Sequence, residues 1–274
     1  MSSSTNKGIL KIINDIKSKT LPSDKLIESI KEIGKMGNKF LAHDLIPLLD
    51  EFDDEDILFH LRETLAKLRI TPDFLNDTGL EKEDEGDYDD ALQKFELSVK
   101  LDPKYYISWY NMARIYGNQK KNYQKAIELF EKALSINPTY GPGWNSLGNV
   151  YYDLKQFSLA RQAYERAIQC VGYKGKHYPY YNSGLVYEKM GYPRKALEYF
   201  LKSVDFKQDY SRASYNAGRT YRELGEHEKA YEYFAMALKY DLSYEKTIRE
   251  LGVKVEEVMT MYLLKKLDKF KLEH

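Results

Sequence analysis

Small and large apolar residues recur at helical spacing along most of the chain, and one pair is repeated five times. In each copy an alanine is followed four residues later by an aromatic residue, and successive copies lie 34 to 36 residues apart. The copies are Ala91/Phe95, Ala126/Phe130, Ala160/Tyr164, Ala196/Phe200 and Ala230/Phe234. Because positions i and i+4 lie on one face of a helix, each pair predicts a helix whose small residue admits a neighbouring helix at close range.

A second helix is predicted upstream of each of these helices, again with a small residue at a matching place. These small residues are Gly79, Ala113, Gly148, Gly184 and Gly218. Turn signals such as Gly191-Tyr192-Pro193 separate the two helices, and Asn137-Pro138 closes one unit because proline stops a helix. Each unit is therefore predicted to be a helical hairpin, and a constant period of this length predicts an α-solenoid.

The segments from Trp109 to Pro138 and from Trp144 to Ile168 resemble the tetratricopeptide repeat (TPR) family, whose period is about 34 residues. In this register Trp109 and Trp144 are predicted to lie in the interior of neighbouring hairpins. The resemblance covers residues 72–242, with mild departures such as Lys82 in place of a tyrosine. It implies an all-α fold, namely a right-handed α-solenoid of five hairpins. It also implies a non-enzymatic scaffold or adaptor for protein–protein interaction.

The region before the repeats has a different helical pattern. Four apolar segments at helical spacing are separated by Leu21–Asp24, Gly37-Asn38 and Asp53-Asp54, and they predict four helices. The stretch from Leu26 to Leu68 resembles a pair of HEAT-type hairpins, with Leu58 where HEAT repeats usually place an arginine. We therefore predict a HEAT-like helical domain ahead of the TPR array.

An apolar stripe from Ile248 to Phe270 follows the fifth repeat. A terminal repeat exposes the face that its missing neighbour would cover, so we interpret this stripe as a capping helix with a kink at Gly252, with insertion into a partner or a second copy as the alternative. The predicted organisation is a flexible N-terminus (1–5), a HEAT-like domain (6–70), five TPR repeats (71–242), a C-terminal capping helix (243–271) and the remnant of an expression tag (272–274).

Charge and composition argue against nucleic-acid binding and membrane insertion. The 42 basic and 42 acidic residues balance to zero, which gives no global attraction to nucleic acid or to a membrane. No apolar run reaches the roughly 20 residues of a membrane helix. The single cysteine, Cys170, fits a reduced compartment, so we expect a cytoplasmic protein. Export or lipid anchoring is the alternative if a signal was removed ahead of Ser2.

Catalytic chemistry finds little support in the sequence. His43, His60, His177 and His227 lie at no metal-ligand spacing, and the chain has no nucleophile elbow, phosphate loop or dinucleotide fingerprint. Cys170 with His177 suggests a thiol–imidazole pair, but a structural cysteine and a surface histidine fit a repeat junction better. We expect no enzyme activity, no metal and no cofactor.

Polar residues beside the predicted core positions form a candidate peptide-binding groove on the first helix of each hairpin. They are Tyr110, Asn111, Arg114, Asn145, Asn149, Tyr181, Asn182, Arg212, Tyr215, Asn216, Arg219 and Arg222. Asparagine amides both donate and accept hydrogen bonds and so suit a peptide backbone, while arginines suit a carboxylate. The set is similar to the groove in which TPR co-chaperones hold a C-terminal carboxylate.

The groove predicts another protein as the partner. We expect an extended peptide or C-terminal segment with acidic groups, no nucleic acid, no membrane insertion, and a chain that is a monomer or weak dimer. An accessory or chaperone-like subunit that delivers a client to an enzyme or secretion complex is the main alternative. The simpler interpretation, that these polar residues only solvate a concave surface, also stays open.

Overall fold

The computed structural model describes the backbone of residues 12–18, 21–37 and 41–273, and the side chains of these ranges apart from residues 43 and 265–273. Within them the regular structure is helical throughout, as predicted. The predicted flexible segment at residues 1–5 and the last residue of the predicted tag lie outside the described residues. The chain folds into two compact units, Met1–Ile136 and Asn137–His274.

The first unit contains the N-terminal helices and two hairpins. Its helices are α1 (12–18), α2 (Ser23–Met36), α3 (Ala42–Leu45), a 3₁₀ helix (Ile46–Asp50), α4 (Glu55–Lys67), α5 (Pro72–Asp84), α6 (Tyr88–Leu101), α7 (Tyr106–Asn118) and α8 (Tyr123–Ile136). Side-chain caps mark the starts of two of these helices. At the start of α4, Asp54 accepts hydrogen bonds from the backbone amides of residues 56 and 57. At the start of α5, Thr71 directly precedes Pro72 and accepts a hydrogen bond from the backbone amide of residue 74.

The second unit contains three hairpins and a terminal pair of helices. Its helices are α9 (Gly141–Asp153), α10 (Phe157–Gln169), α11 (His177–Lys189), α12 (Pro193–Phe206), α13 (Ser211–Glu223), α14 (His227–Tyr240), α15 (Tyr244–Glu250) and α16 (Val255–Glu273). We call the first helix of each hairpin its A helix (α5, α7, α9, α11 and α13) and the second its B helix. α15 follows α14 as an A helix would.

The five predicted rings form the centre of the five hairpins. Phe95, Phe130, Tyr164, Phe200 and Phe234 are between 0 and 1% exposed, and the alanine four residues before each is fully buried. Phe95, Tyr164, Phe200 and Phe234 each pack on the glycine of their A helix. A Cβ atom at Gly184 would lie 2.5 Å from the Phe200 ring, and at Gly218 the distance to Phe234 would be 2.7 Å. Glycine is therefore required by close packing, and not by the backbone angle, at these places.

The N-terminal helices share one hydrophobic core with the first hairpin. Ile30, Leu61 and Leu65 are fully buried, and the same cluster includes Leu75 of α5 and Leu101 of α6. Four helical segments are present here as predicted, although the third is split into α3 and the 3₁₀ helix, whose second residue is Pro47. The first hairpin thus has a neighbour on its N-terminal side, and the HEAT-type classification of that neighbour stays a prediction.

The C-terminal apolar stripe covers the last hairpin with two helices, where the sequence suggested one. The helix breaks between α15 and α16 at Gly252, which adopts a φ of +75° that favours glycine. Ile248 and Val258 are fully buried in the cluster that contains Phe234 and Leu238. The stripe therefore covers the open face of α14, as a cap would.

Candidate partner-binding groove

A polar network joins the A helices α5 and α7 of the first unit. Asn111 donates a hydrogen bond to Asn76 (Nδ2–Oδ1, 2.9 Å) and accepts one from Arg114 (3.2 Å), whose guanidinium also contacts Glu83 at 2.8 Å. Both asparagines are buried. The Asn111 amide is thus used on both sides by the protein itself. Tyr110, the remaining predicted residue of this unit, lies under Arg114 with 5.8 Å between the guanidinium and the ring centroid.

The same network recurs between α11 and α13 of the second unit. Arg219 donates to Asn216 (2.9 Å) and to Glu188 (2.6 Å). Asn216 donates in turn to the hydroxyl of Tyr181 (3.0 Å). In both networks the arginine and glutamate are 31 residues apart in the chain. These ion pairs therefore link one hairpin to the next. They also give two of the four predicted groove arginines, Arg114 and Arg219, an acidic partner within the protein.

We expect Arg219→Ala to lower the free energy of unfolding by about 1–3 kcal/mol, because Glu188 and Asn216 would both lose their partner in a half-buried position. Arg212→Ala on the same helix should change it by less than about 0.5 kcal/mol, since Arg212 is exposed. Urea denaturation followed by circular dichroism measures both. If Arg219→Ala costs as much when Glu188→Gln is already present, the ion pair does not carry the effect.

The asparagines at the start of the second unit form a partly open cluster. Asn182 donates to Asn145 (3.1 Å) and to Asn149 (3.0 Å), and Asn149 also accepts from the hydroxyl of Tyr164 (2.9 Å). These bonds use the carbonyl oxygens of Asn145 and Asn149. Among the described residues, their Nδ2 groups and the carbonyl oxygen of Asn182 have no protein partner. This cluster therefore retains both donors and an acceptor for a ligand.

Aromatic side chains surround Arg212 at the start of α13. The hydroxyls of Tyr210 and Tyr244 lie beside its guanidinium, and the Tyr181 hydroxyl is near enough to interact with the guanidinium electrostatically. The Tyr181 and Tyr210 rings are 5.4 Å apart, and the Tyr215 ring stacks on Tyr244 at 4.9 Å. We define the A-helix groove of the second unit by these five residues together with Asn216 and Arg222.

The phenols of this groove stay protonated at neutral pH. Burial, and secondarily the neighbouring Tyr181, raises the pKa of Tyr210 to about 12. Burial also raises the pKa of Tyr181 and of Tyr244. Arg212 is a cation at neutral pH because the pKa of an arginine lies far above that pH, and the interaction with Tyr210 raises this pKa further. Around Arg212 the groove therefore offers a positive charge with neutral hydroxyl donors beside it.

Arg212 and Arg222 differ from the other two arginines because neither forms an ion pair within the described part of the chain. Arg212 is exposed and Arg222 is half-buried. The twelve predicted residues thus fall into three groups: those bonded or packed within the protein (Tyr110, Asn111, Arg114, Asn216, Arg219), those partly open (Asn145, Asn149, Asn182), and the two arginines without an acid partner among the described residues together with Tyr181 and Tyr215.

Several neighbours of the groove were not predicted. Tyr210 and Tyr244 lie just before or at the start of a helix, and Glu83 and Glu188 are near helix ends. Equal offsets of Glu83 from Arg114 and of Glu188 from Arg219 were the sequence signal that could have found the acids. His177, predicted at the surface, is buried because its ring packs on Tyr178 at 4.0 Å and on Tyr210 at 5.1 Å.

Comparison with known families agrees with this architecture. Tetratricopeptide repeat models match residues 104–171, 178–210 and 211–244. The chain is a tetratricopeptide repeat protein, a family of protein-interaction modules that are generally non-catalytic. No curated protein sequence matches it.

Solved structures of similar fold include the protein MamA, which is 27% identical, with a TM-score of 0.53 over 61% of this chain and 96% of that chain. PilF of Pseudomonas aeruginosa is 21% identical, with a TM-score of 0.55 over 74% and 97% of the two chains. YrrB, described as a TPR protein with an unusual peptide-binding site, is 23% identical, with a TM-score of 0.51 over 65% and 91%.

Two further findings bear on the site. Across the residues with described side chains, no group of three or more histidine, cysteine, aspartate or glutamate residues is arranged to hold a metal ion. Within the same ranges, no helix is both long enough and apolar enough to cross a membrane.

Proposed function

We propose that this chain is a non-enzymatic scaffold or adaptor that binds an extended segment of a partner protein in the A-helix groove of the second unit. The observation that carries the proposal is the environment of Arg212. Arg212 is exposed, has no acidic partner among the described residues, and lies among three tyrosine hydroxyls. A carboxylate of the partner, either an acidic side chain or a free C-terminus, would complete this environment with charge-assisted hydrogen bonds.

The groove has the length for a short extended segment. The Tyr181–Asn216 hydrogen bond and the Tyr215–Tyr244 stack bring α11, α13 and α15 side by side. Packed helices lie about 8–10 Å apart, and an extended chain advances about 3.3 Å per residue. A segment of about six residues would therefore cross these three helices.

The partly open asparagines extend this surface toward α9. Asn149 is exposed, and the free Nδ2 groups of Asn145 and Asn149 can donate to the carbonyl groups of a peptide backbone. Recognition through the backbone tolerates different side chains. The carboxylate at Arg212 would then fix the position of the segment, and the amides would hold its main chain.

The test is a selection of random twelve-residue peptides with free C-termini on the complete chain, followed by fluorescence anisotropy of the enriched peptides. We expect enrichment of aspartate, glutamate or the terminal carboxylate near one position. Affinity should fall about tenfold in Arg212→Ala and should weaken as salt rises, because the contact is charge-assisted and partly exposed.

Arg194→Ala is the matched control. Arg194 is also exposed and has no ion pair among the described residues, but it lies on the B helix α12. Equal affinity of the wild type, Arg212→Ala and Arg194→Ala for every enriched peptide would rule out the groove as the binding site. The polar residues would then serve only to solvate the A helices.

A further inference from the structure

A second concave surface lies in the first unit, on the side of the B helices. It is a cleft of about 450 Å³ whose floor includes Trp109 and Met112 of α7. Its walls come from the B helices α6 and α8, with Val99 and Leu129, and from the N-terminal helices, with Leu49 and Arg62. We call it the Trp109 cleft. It shares no residue with the A-helix groove.

The floor of the Trp109 cleft is apolar and rigidly held. Trp109 donates its indole N–H to the carbonyl oxygen of Pro103 at 3.0 Å, which fixes the ring. The ring is nevertheless only half-buried, whereas Met112, Val99 and Leu129 are buried beneath and beside it. An accessible aromatic ring over a packed apolar floor is the kind of surface that receives an aromatic or large aliphatic side chain.

The charged residues around the cleft favour an acidic partner. Arg62, Lys100 and Lys125 line it, against the single acid Glu96, and the Lys132 ammonium lies 6.0 Å from the Trp109 ring centroid. Asp50 neutralises Lys100 at 2.7 Å. Arg62 and Lys125 have only distant acid contacts at 3.6 Å, and Lys132 has none among the described residues. The unneutralised charge at this cleft is therefore positive.

From this geometry we propose that the Trp109 cleft is a second protein-docking site, which takes an acidic segment of a partner that inserts one aromatic or large aliphatic side chain against Trp109. The N-terminal helices contribute a wall, so the site exists only where they pack on the first hairpin. The inference is independent of the A-helix groove. A chain with both sites would hold two partner segments at once.

The probe is a blocked hexapeptide in which Phe-Leu is flanked by two glutamates on each side, and the readout is the indole N–H signal of Trp109 in the ¹⁵N-labelled full chain. Trp144 supplies the internal reference, because its indole makes the same bond to a proline carbonyl (Pro138, 2.8 Å) but does not line the cleft. Trp109→Phe and Trp144→Phe assign the two signals. Blocked ends remove the free C-terminus as a ligand of the A-helix groove, and the Trp109 signal reports the cleft even where a glutamate side chain also binds that groove.

We expect the Trp109 signal to shift saturably with this peptide and the Trp144 signal to stay in place. Peptides with lysines for the glutamates, or with Ala-Ala for Phe-Leu, should bind at least about fivefold more weakly. Lys125→Glu with Lys132→Glu should weaken binding about five- to tenfold. The control is Lys174→Glu with Lys246→Glu, which changes net charge equally at two lysines that do not line the cleft.

Three results would overturn the proposal. One is the absence of a saturable Trp109 shift at millimolar peptide. Another is equal binding of the lysine peptide, and the third is equal loss of affinity in the two charge-reversed variants. Arg212→Ala should leave this binding unchanged, so failure here and failure of the groove can be told apart.

Discussion

Replacing Phe200 by alanine should lower the free energy of unfolding by about 3–5 kcal/mol, which is one of the two largest effects expected for a single substitution in this chain. The Phe200 side chain is fully buried and lies between its own helix and the α11 backbone at Gly184. Removal of the ring leaves a cavity that neither neighbour can fill, because Gly184 has no side chain and Ala196 is small. Denaturant titration followed by circular dichroism measures the loss.

Phe206→Ala on the same helix is the matched control. Phe206 is 54% exposed and stacks on Tyr180 at 5.0 Å, so its removal should cost less than about 1 kcal/mol. Stability in a repeat protein is coupled between nearest neighbours, so the Phe200→Ala loss should also increase amide exchange in α9 to α14. Similar losses in the two variants would mean that Phe200 is not the packing centre of its hairpin.

The hairpins could be predicted from sequence because their determinants are local. The pair Ala196/Phe200 fixes one helix face through i, i+4 spacing, and Gly184 fixes the helix that packs on it. Both are visible within one repeat, and the five copies reinforce one another. Gly252 was predicted as a kink in one capping helix, but a break into two helices was not predicted, because the apolar spacing continues through this residue. Only the positive φ of that residue, a property of the folded backbone, separates α15 from α16.

The partners of the polar residues could not be predicted in the same way. The equal offset of 31 residues from Glu83 to Arg114 and from Glu188 to Arg219 is visible in the sequence, but the contact with the preceding hairpin is what shows that these acids neutralise the two arginines. A contact across 31 residues depends on how hairpins stack, which a single-residue pattern does not encode. Arg212 is the stronger candidate for binding a partner, because the packing of the hairpins places tyrosines beside it and, among the described residues, no acid.

The tryptophans show a similar limit. Trp109 and Trp144 occupy positions that the repeat pattern predicts as interior, yet both rings are half-buried. Each indole N–H donates a hydrogen bond to the carbonyl oxygen of the proline that follows the preceding B helix. A cation lies near each ring, Lys132 at Trp109 and Arg166 at Trp144. The repeat pattern identifies the position as apolar. How much of the ring stays accessible depends on the helices on either side, which is why the Trp109 cleft became visible only in the structure.

The second large effect is expected at the C-terminal cap, where Val258→Asp should lower the free energy of unfolding by about 3 kcal/mol or more. Val258 is fully buried in the cluster with Ile248 and Phe234, so the substitution places a carboxylate in an apolar site without a partner. The melting temperature of the full chain should fall, and the face of α14 should become accessible to a hydrophobic dye.

Leu264→Asp tests the alternative role of the same helix. Leu264 is 55% exposed, so the capping interpretation predicts little change in melting temperature. If α16 instead pairs with a second copy, Leu264→Asp would convert a dimer into a monomer in light scattering. The capping interpretation requires two results. Val258→Asp destabilises the chain, and Leu264→Asp leaves the mass measured by light scattering unchanged. The reverse outcome, a stable Val258→Asp chain and a dissociated Leu264→Asp chain, would make α16 an oligomerisation helix, because burial of Val258 would then contribute nothing to the fold of its own chain.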